Sequence, residues 1–157
     1  VHALIEPVLT ADIDMSVGSR ISTNSQSEFR PLNWFGNKFY QVTINLVFGA
    51  NLTDILSGYR CMNRSFVKGV PLFVTGFEVE TELTIKALER GYQIVEIPVD
   101  LKARPAGSHS KIRVVQDGLK ILWTILALFR DYKPMTFFGI LGLLVILVGL
   151  IPGAVVI

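Results

Sequence analysis

The end of the chain constrains it most. From Met135 to Ile157 no side chain carries a charge, a run of about 23 residues, and at 1.5 Å of rise per residue a helix of that length crosses roughly 30 Å of hydrocarbon. A transmembrane helix over 134–157 is therefore expected. Gly139, Gly142, Gly149, Pro152 and Gly153 lie along it, residue types that membrane helices tolerate better than soluble ones do. The glycine spacing is not GxxxG, so the run reads as a lipid-facing helix with scattered small residues. Arg130 and Lys133 precede it, and basic residues on that flank put the preceding domain on the cytoplasmic face.

Just upstream, 112–133 reads as an amphipathic juxtamembrane helix. Ile112, Val115, Leu119, Leu122, Trp123, Leu126 and Phe129 recur at steps of three and four, with Arg113, Gln116, Asp117 and Lys120 elsewhere around the circumference. Trp123 favours the headgroup level and the two basic residues suit anionic lipid, so the helix is expected either in the membrane interface or packed on the preceding domain.

Composition narrows the partners. Charged residues make up 18% of the chain, against about 25% in an ordinary soluble domain, and half of all residues are hydrophobic, which rules out disorder. Fifteen Lys and Arg against thirteen Asp and Glu leave a net charge of +2, too balanced for a nucleic-acid partner. The single cysteine, Cys61, excludes an internal disulfide and a thiolate metal site. It fits a reducing compartment and is read as a small buried side chain. The chain opens at Val1 without Met and stops inside an apolar run, and so is read as part of a longer protein. Homo-oligomerisation is left open.

Residues 1–111 alternate strands with helices. Strands are expected over Asp14–Ser19 and over Gln93–Leu101, the latter an edge or terminal strand around Pro98. Helices are expected over Trp34–Phe48, stopped by Gly49, and over Glu78–Arg90, stopped by Gly91. Such alternation implies an α/β sheet layer, and two strands are too few to complete one, so further strands are expected before Val1. No repeat and no low-complexity linker interrupts it. In the first helix Trp34, Phe35, Phe39, Val42, Leu46 and Val47 make an aromatic stripe, read as core, with a lipid-facing guide for a prenyl chain as the alternative.

No phosphate-loop, dinucleotide, zincin or nucleophile-elbow motif occurs. His2 and His109 lie far apart, and His109 reads as a solvated loop residue. Polar residues cluster instead at Gly18-Ser19-Arg20, at Asp54 to Arg60 (DILSGYR), at Phe77 to Glu80, and at Arg104 to Lys111. Several of these stand where a strand or helix ends, the place open α/β sheets reserve for ligands.

Taken in order, Gly18-Ser19-Arg20, the tryptophan-bearing helix, Asp54 to Arg60, Gly76 to Glu80, Glu96 to Val99 and Arg104 to Lys111 resemble the second half of a family 2 glycosyltransferase of the dolichol-phosphate mannose synthase type. The likeness covers nearly the whole chain, with the membrane tail of the polyprenyl-phosphate branch. It departs in one spacing, since Ala106 to His109 set Ser110-Lys111 a residue or two further on. The resemblance implies a partial GT-A (Rossmann-like) α/β domain over 1–111, an enzyme acting in cell-envelope glycan synthesis or protein glycosylation, and transfer with inversion from a nucleotide-sugar to a polyprenyl (dolichyl or undecaprenyl) phosphate. It also implies a divalent metal, Mg or Mn, held by residues upstream of Val1, and membrane lipid as a partner.

A phosphate acceptor is already ionised near neutral pH, so such a site needs cations more than a strong base. Arg20, Arg60, Arg104 and Lys111 supply them, with Ser110 beside Lys111; the resemblance puts Arg20 and Arg104 near the acceptor phosphate. It puts Asp54 at the catalytic centre and Glu78 facing the sugar, with Ser57, Gly58 and Phe77 shaping the site. Glu80 is the alternate to Glu78, but Glu80 and Glu82 are expected on a solvated helix face. Asp12-Ile13-Asp14 has the spacing of a metal pair but enters the strand leading to Arg20, and is read as a solvated strand entrance. Asn51-Leu52-Thr53 and Asn63-Arg64-Ser65 match the glycosylation pattern and stay unmodified on a cytoplasmic face. Two rival readings are a processive polysaccharide synthase, whose Q-x-x-R-W signature is missing, and a non-catalytic membrane module that binds lipid phosphate beside a flippase.

Overall fold

A computed structural model describes residues 2–20, 31–99 and 114–156, with the side chains of 2–20, 36–99 and 115–150. The elements run α1 (His2–Thr10), β1 (Met15–Ser19), α2 (Pro31–Phe48), β2 (Arg60–Met62), α3 (Arg64–Gly69), α4 (Val79–Glu89), β3 (Ile94–Pro98), α5 (Val114–Tyr132) and α6 (Pro134–Val156). The chain divides into two compact units, Val1–Ile125 and Leu126–Ile157.

In the first unit a mixed three-stranded sheet has the order β2-β1-β3. Strand β1 (MSVGS) is buried along its whole length, as a central strand must be. It pairs antiparallel with β2, Ser16 opposite Cys61, and parallel with β3, Val17 opposite Glu96. The third strand, β2, comes from within the chain and was not expected, because RCM is too short to show an alternation. Cys61, expected buried, is half-buried on that strand. Pro98 ends β3 on a sheet edge, where its missing N–H breaks no ladder.

Met15 and Val17 pack with Phe66, Val70 and Ala87, and Met62, Leu83, Tyr92 and Ile94 close the core from the side. Phe66 meets Tyr92 edge-on with ring centroids 5.0 Å apart. Helix α1 lies against β1, where Ser16 Oγ donates to the Leu4 carbonyl at 2.6 Å. Helix α4 ends at Gly91, whose φ of +72° is the left-handed conformation that such a cap requires.

Asp14 is committed to folding. Its carboxylate accepts from Asn63 Nδ2 at 2.7 Å and from the Gln93 N–H at 2.9 Å, tying the entrances of β1, α3 and β3. Asn63 also accepts from the Phe66 N–H and so caps α3.

The buried faces of α2 and α5 are set by the domain they meet. Helix α2 buries Ile44 and Phe48 and exposes Phe39, Val42 and Leu46, with Val47 half-buried, so most of the described stripe read as core faces outward. Helix α5 likewise buries Ile121, Thr124 and Ile125 and exposes Val115, Leu119 and Trp123. The register decides it: the residues that meet the domain fall between the members of the apolar stripe. Glu82, expected in solvent, is 2% exposed and pairs with Lys86 at 2.6 Å. Its oxygens accept from the Phe73 and Val74 N–H groups, while Lys86 donates to the Pro71 carbonyl and lies over the Phe73 ring. A connecting segment running across α4 needs its backbone groups satisfied, and this pair supplies them.

In the second unit, Phe129 packs edge-on against Phe137 across the break at Lys133, and the described side chains from Phe138 to Leu150 are all exposed. Among the described residues no single helix is long and apolar enough to cross a membrane, although the bent pair Val115–Tyr132 and Pro134–Leu150 is so when taken together.

Removing one member of a buried ion pair strands the other. Glu82→Ala should lower the unfolding free energy by about 3 kcal/mol, measured as a shift in the urea midpoint. The double change Glu82→Leu with Lys86→Met removes the stranded charge but leaves the Phe73 and Val74 N–H groups and the Pro71 carbonyl unpaired, so it should recover only part of the loss; a single variant as stable as wild type would contradict the assignment.

Candidate functional site

The site is built at the carboxyl end of β1, where the strand delivers Ser19 and Arg20. Gly18 is required there, because a Cβ would stand 2.7 Å from the Tyr59 ring and 3.2 Å from Val99. That close approach brings the segment 50–59 against the strand end. Gly18 N–H donates to the Tyr59 carbonyl at 2.8 Å, and Ser57 Oγ donates to the Gly18 carbonyl at 2.6 Å.

The segment delivers Asp54, wholly buried, to Arg20. Arg20 Nε donates to Oδ2 at 2.7 Å, Nη2 to Oδ1 at 2.8 Å, and the Arg20 backbone N–H to Oδ2 at 3.0 Å. This bidentate fork, reinforced by a backbone N–H, is the strong geometry for a guanidinium and a carboxylate. It holds the Arg20 pKa above its ordinary value, chiefly through the hydrogen bond to Asp54, against the opposing effect of burial.

Glu96 of β3 fixes the other side of Asp54. Its carboxylate accepts from the Thr53 N–H at 2.8 Å, the Asp54 N–H at 2.8 Å and Thr53 Oγ1 at 2.9 Å. Thr53 Oγ1 in turn shares a 2.8 Å hydrogen bond with Ser19 Oγ. Glu96, Thr53 and Ser19 therefore join β3, the loop and β1 in one network beneath the fork.

Arg60 faces inward. Nε donates to the Ser57 carbonyl at 2.7 Å, Nη2 to the Ile55 carbonyl at 2.6 Å and Nη1 to Thr84 Oγ1 at 2.9 Å. Burial pulls its pKa down to about 10, with Glu80, Asp54 and Glu96 opposing that fall. The side chain braces the 55–57 turn against α4.

On the helix side, Gly58 faces Glu80, whose Oε1 lies 3.1 Å from where a Gly58 Cβ would stand. Glu80, expected in solvent, is half-buried. Its pKa is raised, foremost by burial, although its own backbone N–H, Arg60 and Arg20 pull it down and only Glu78 adds to the rise. Glu78 is buried just before α4, beside Gly76, where a Cβ would stand 2.8 Å from its Oε2. Phe77 is exposed. Arg20, Asp54, Ser57, Gly58 and Arg60 thus meet in one cluster, whereas Arg104, Ser110 and Lys111 lie outside the described residues.

Sequence reasoning named Glu96 and Ser19 only as parts of motifs, Thr53 only in a glycosylation pattern, and passed over Thr84. A carboxylate inside an otherwise apolar strand was the available signal, but its partners are some 43 residues away in the chain.

The likeness to known proteins is to glycosyltransferases. The chain is 28% identical over 139 residues to glycosyltransferase AglJ of Haloferax volcanii, covering 88% of this chain and 46% of that one. It is 28% identical over 137 residues to an undecaprenyl-phosphate mannosyltransferase of Micrococcus luteus, covering 76% and 54%. An uncharacterized protein of Shigella flexneri is 43% identical over 99 residues, covering 63% and 61%. The chain therefore spans roughly half of the length of these relatives. No family model and no solved structure matches it.

The raised pKa of Glu80 has a sign that can be tested. The folded state binds this proton more tightly than the unfolded chain does, so the ionised side chain lowers stability above the raised pKa, and the penalty disappears as pH falls towards the ordinary value of about 4.3. Glu80→Gln should therefore stabilise the protein at about pH 7, with the gain fading as pH falls to about 4. Denaturant midpoints against pH would show it; a loss of stability at neutral pH would mean that the two arginines outweigh burial.

Proposed function

We propose that the chain is the acceptor-side part of a membrane glycosyltransferase resembling the dolichol-phosphate mannose synthase type, which moves a sugar from a nucleotide-sugar to a polyprenyl phosphate with inversion. The observation that carries this reading is the Arg20–Asp54 fork at the carboxyl end of β1, fixed from below by Glu96 and braced by Arg60. Similarity to an undecaprenyl-phosphate mannosyltransferase supports the choice of acceptor.

In this account the ionised acceptor phosphate is the nucleophile. One of its oxygens forms a bond to the anomeric carbon as the bond to the diphosphate breaks, and the electron pair leaves with the nucleoside diphosphate. Arg20 presents its guanidinium to the phosphate in an orientation set by Asp54, and Arg104 joins it there, with Ser110 and Lys111. Arg60 holds the loop. Such preoriented donors favour the charge that develops in the transition state and need no reorganisation during transfer. Among the described residues no group of three or more His, Cys, Asp or Glu could hold a metal ion, so the Mg or Mn that the resemblance implies is assigned no step in this chain.

The exposed apolar faces of α2 and α5 and the uncharged α6 suit a membrane partner, with Arg130 and Lys133 on the cytoplasmic face beside anionic headgroups.

The test is transfer by the intact protein in membranes, supplied with labelled GDP-mannose or UDP-glucose and undecaprenyl phosphate. Label should pass into lipid, Arg20→Ala should slow it by at least about 100-fold, and Arg20→Lys should restore little because one ammonium cannot form the fork. Lipid-phosphate binding without consumption of either nucleotide-sugar would favour the non-catalytic module.

A further inference from the structure

Among the described residues three buried side-chain atoms lack a hydrogen-bond partner, Asn37 Oδ1, Thr81 Oγ1 and Glu80 Oε2, and the last belongs to an ionisable group in the charge cluster around the fork. Three nearby carboxylates are engaged: Asp54 by Arg20, Glu96 by Thr53 and the Asp54 N–H, Glu82 by Lys86 and the Phe73 and Val74 N–H groups. Buried acceptors are ordinarily satisfied, and an exception calls for a reason.

Its surroundings supply one. Glu80 stands opposite Gly58 in the loop that carries Asp54, and it feels Arg60 and Arg20 as attracting charges and Glu78 as a repelling one. It is therefore part of the same charge cluster, approached from α4. A side chain at position 58 would press on Oε1, so the glycine keeps this carboxylate in place. Burial also penalises the ionised carboxylate, and its own backbone N–H, Arg60 and Arg20 offset that only in part. A ligand offering an O–H would offset the rest, and O–H to carboxylate hydrogen bonds are short and strong.

We infer that Glu80 Oε2 is a ligand-binding atom of this site and accepts a hydrogen bond from a hydroxyl of the sugar being transferred. The inference rests on the glycosyl-transfer reading and deepens it by naming a group that meets the hexose. The division of labour is chemical. Phosphate oxygens are repelled by a carboxylate and go to the guanidinium groups, whereas a hydroxyl can donate to the carboxylate. A nucleotide-sugar also carries ribose hydroxyls, and the free nucleoside diphosphate, which has the ribose but no hexose, separates the two sources.

The experiment compares binding of GDP-mannose with GDP, and of UDP-glucose with UDP, to the intact protein and to Glu80→Ala and Glu80→Gln, alongside transfer to undecaprenyl phosphate. Glu80→Ala should weaken nucleotide-sugar binding by about tenfold or more and leave the nucleoside diphosphate within about twofold. Glu80→Gln, which keeps one acceptor oxygen and nearly the same shape, should lose less but with the same selectivity. It keeps the test decisive if the alanine variant fails to fold. Equal losses for nucleotide-sugar and nucleoside diphosphate would assign Glu80 to the ribose or to folding and overturn the inference. Unchanged nucleotide-sugar binding with continuing transfer would overturn it alone. A wild-type protein that binds and transfers neither sugar would overturn the glycosyl-transfer reading together with it.

Discussion

A carboxylate removed from water must find its hydrogen bonds inside the protein, and the arrangement around Asp54 follows from that requirement. Asp54 is wholly buried, and an isolated ion there would be too costly to keep. Arg20 meets it with two side-chain donors and its own N–H. That solution fixes where β1 must end and how near the 50–59 segment must come. Gly18 allows the approach, and Ser57 and Tyr59 bond across it. The loop thereby acquires one conformation without regular secondary structure.

The second tier of contacts serves the first. Glu96 takes up the N–H groups of Thr53 and Asp54, and Arg60 takes up the carbonyls of Ile55 and Ser57. One side chain thus satisfies donors and the other acceptors of the same turn, from opposite sides of the loop sequence. Arg60 costs desolvation, visible in its lowered pKa. Charged groups held in fixed positions under a partly exposed arginine make a site that is ordered before any ligand arrives, which is where electrostatic catalysis draws its advantage.

The elements with a clear period were legible in the sequence. Strand β1, strand β3 and helices α2, α4, α5 and α6 all fall where the pattern of apolar residues, Gly49, Gly91 and Pro134 suggested. Helices α1 and α3 and strand β2 were not, since α3 and β2 are too short to show a period and α1 carries Pro7. Which face of α2 and α5 is buried was also illegible. Both helices have apolar residues on more than one side, and only the domain decides that Ile44 and Ile125 go in while Leu46 and Trp123 stay out. In the site, Arg20, Asp54, Ser57 and Arg60 stood out through their motifs. Glu96 and Glu80 did not, because a carboxylate's role is set by partners distant in the chain: Glu96 by Thr53 and Asp54, Glu80 by Gly58.

On the proposed glycosyl-transfer reading, Glu96 acts through Asp54 and the loop it fixes. A double-mutant cycle of Glu96→Gln and Asp54→Asn, read as kcat/KM for sugar transfer to undecaprenyl phosphate by the intact protein, tests it most directly. The account predicts that Glu96→Gln slows transfer in the wild-type background and adds almost nothing once Asp54 is Asn, the mark of two residues working as one unit. Losses that simply multiply would show the two carboxylates acting independently and would contradict it.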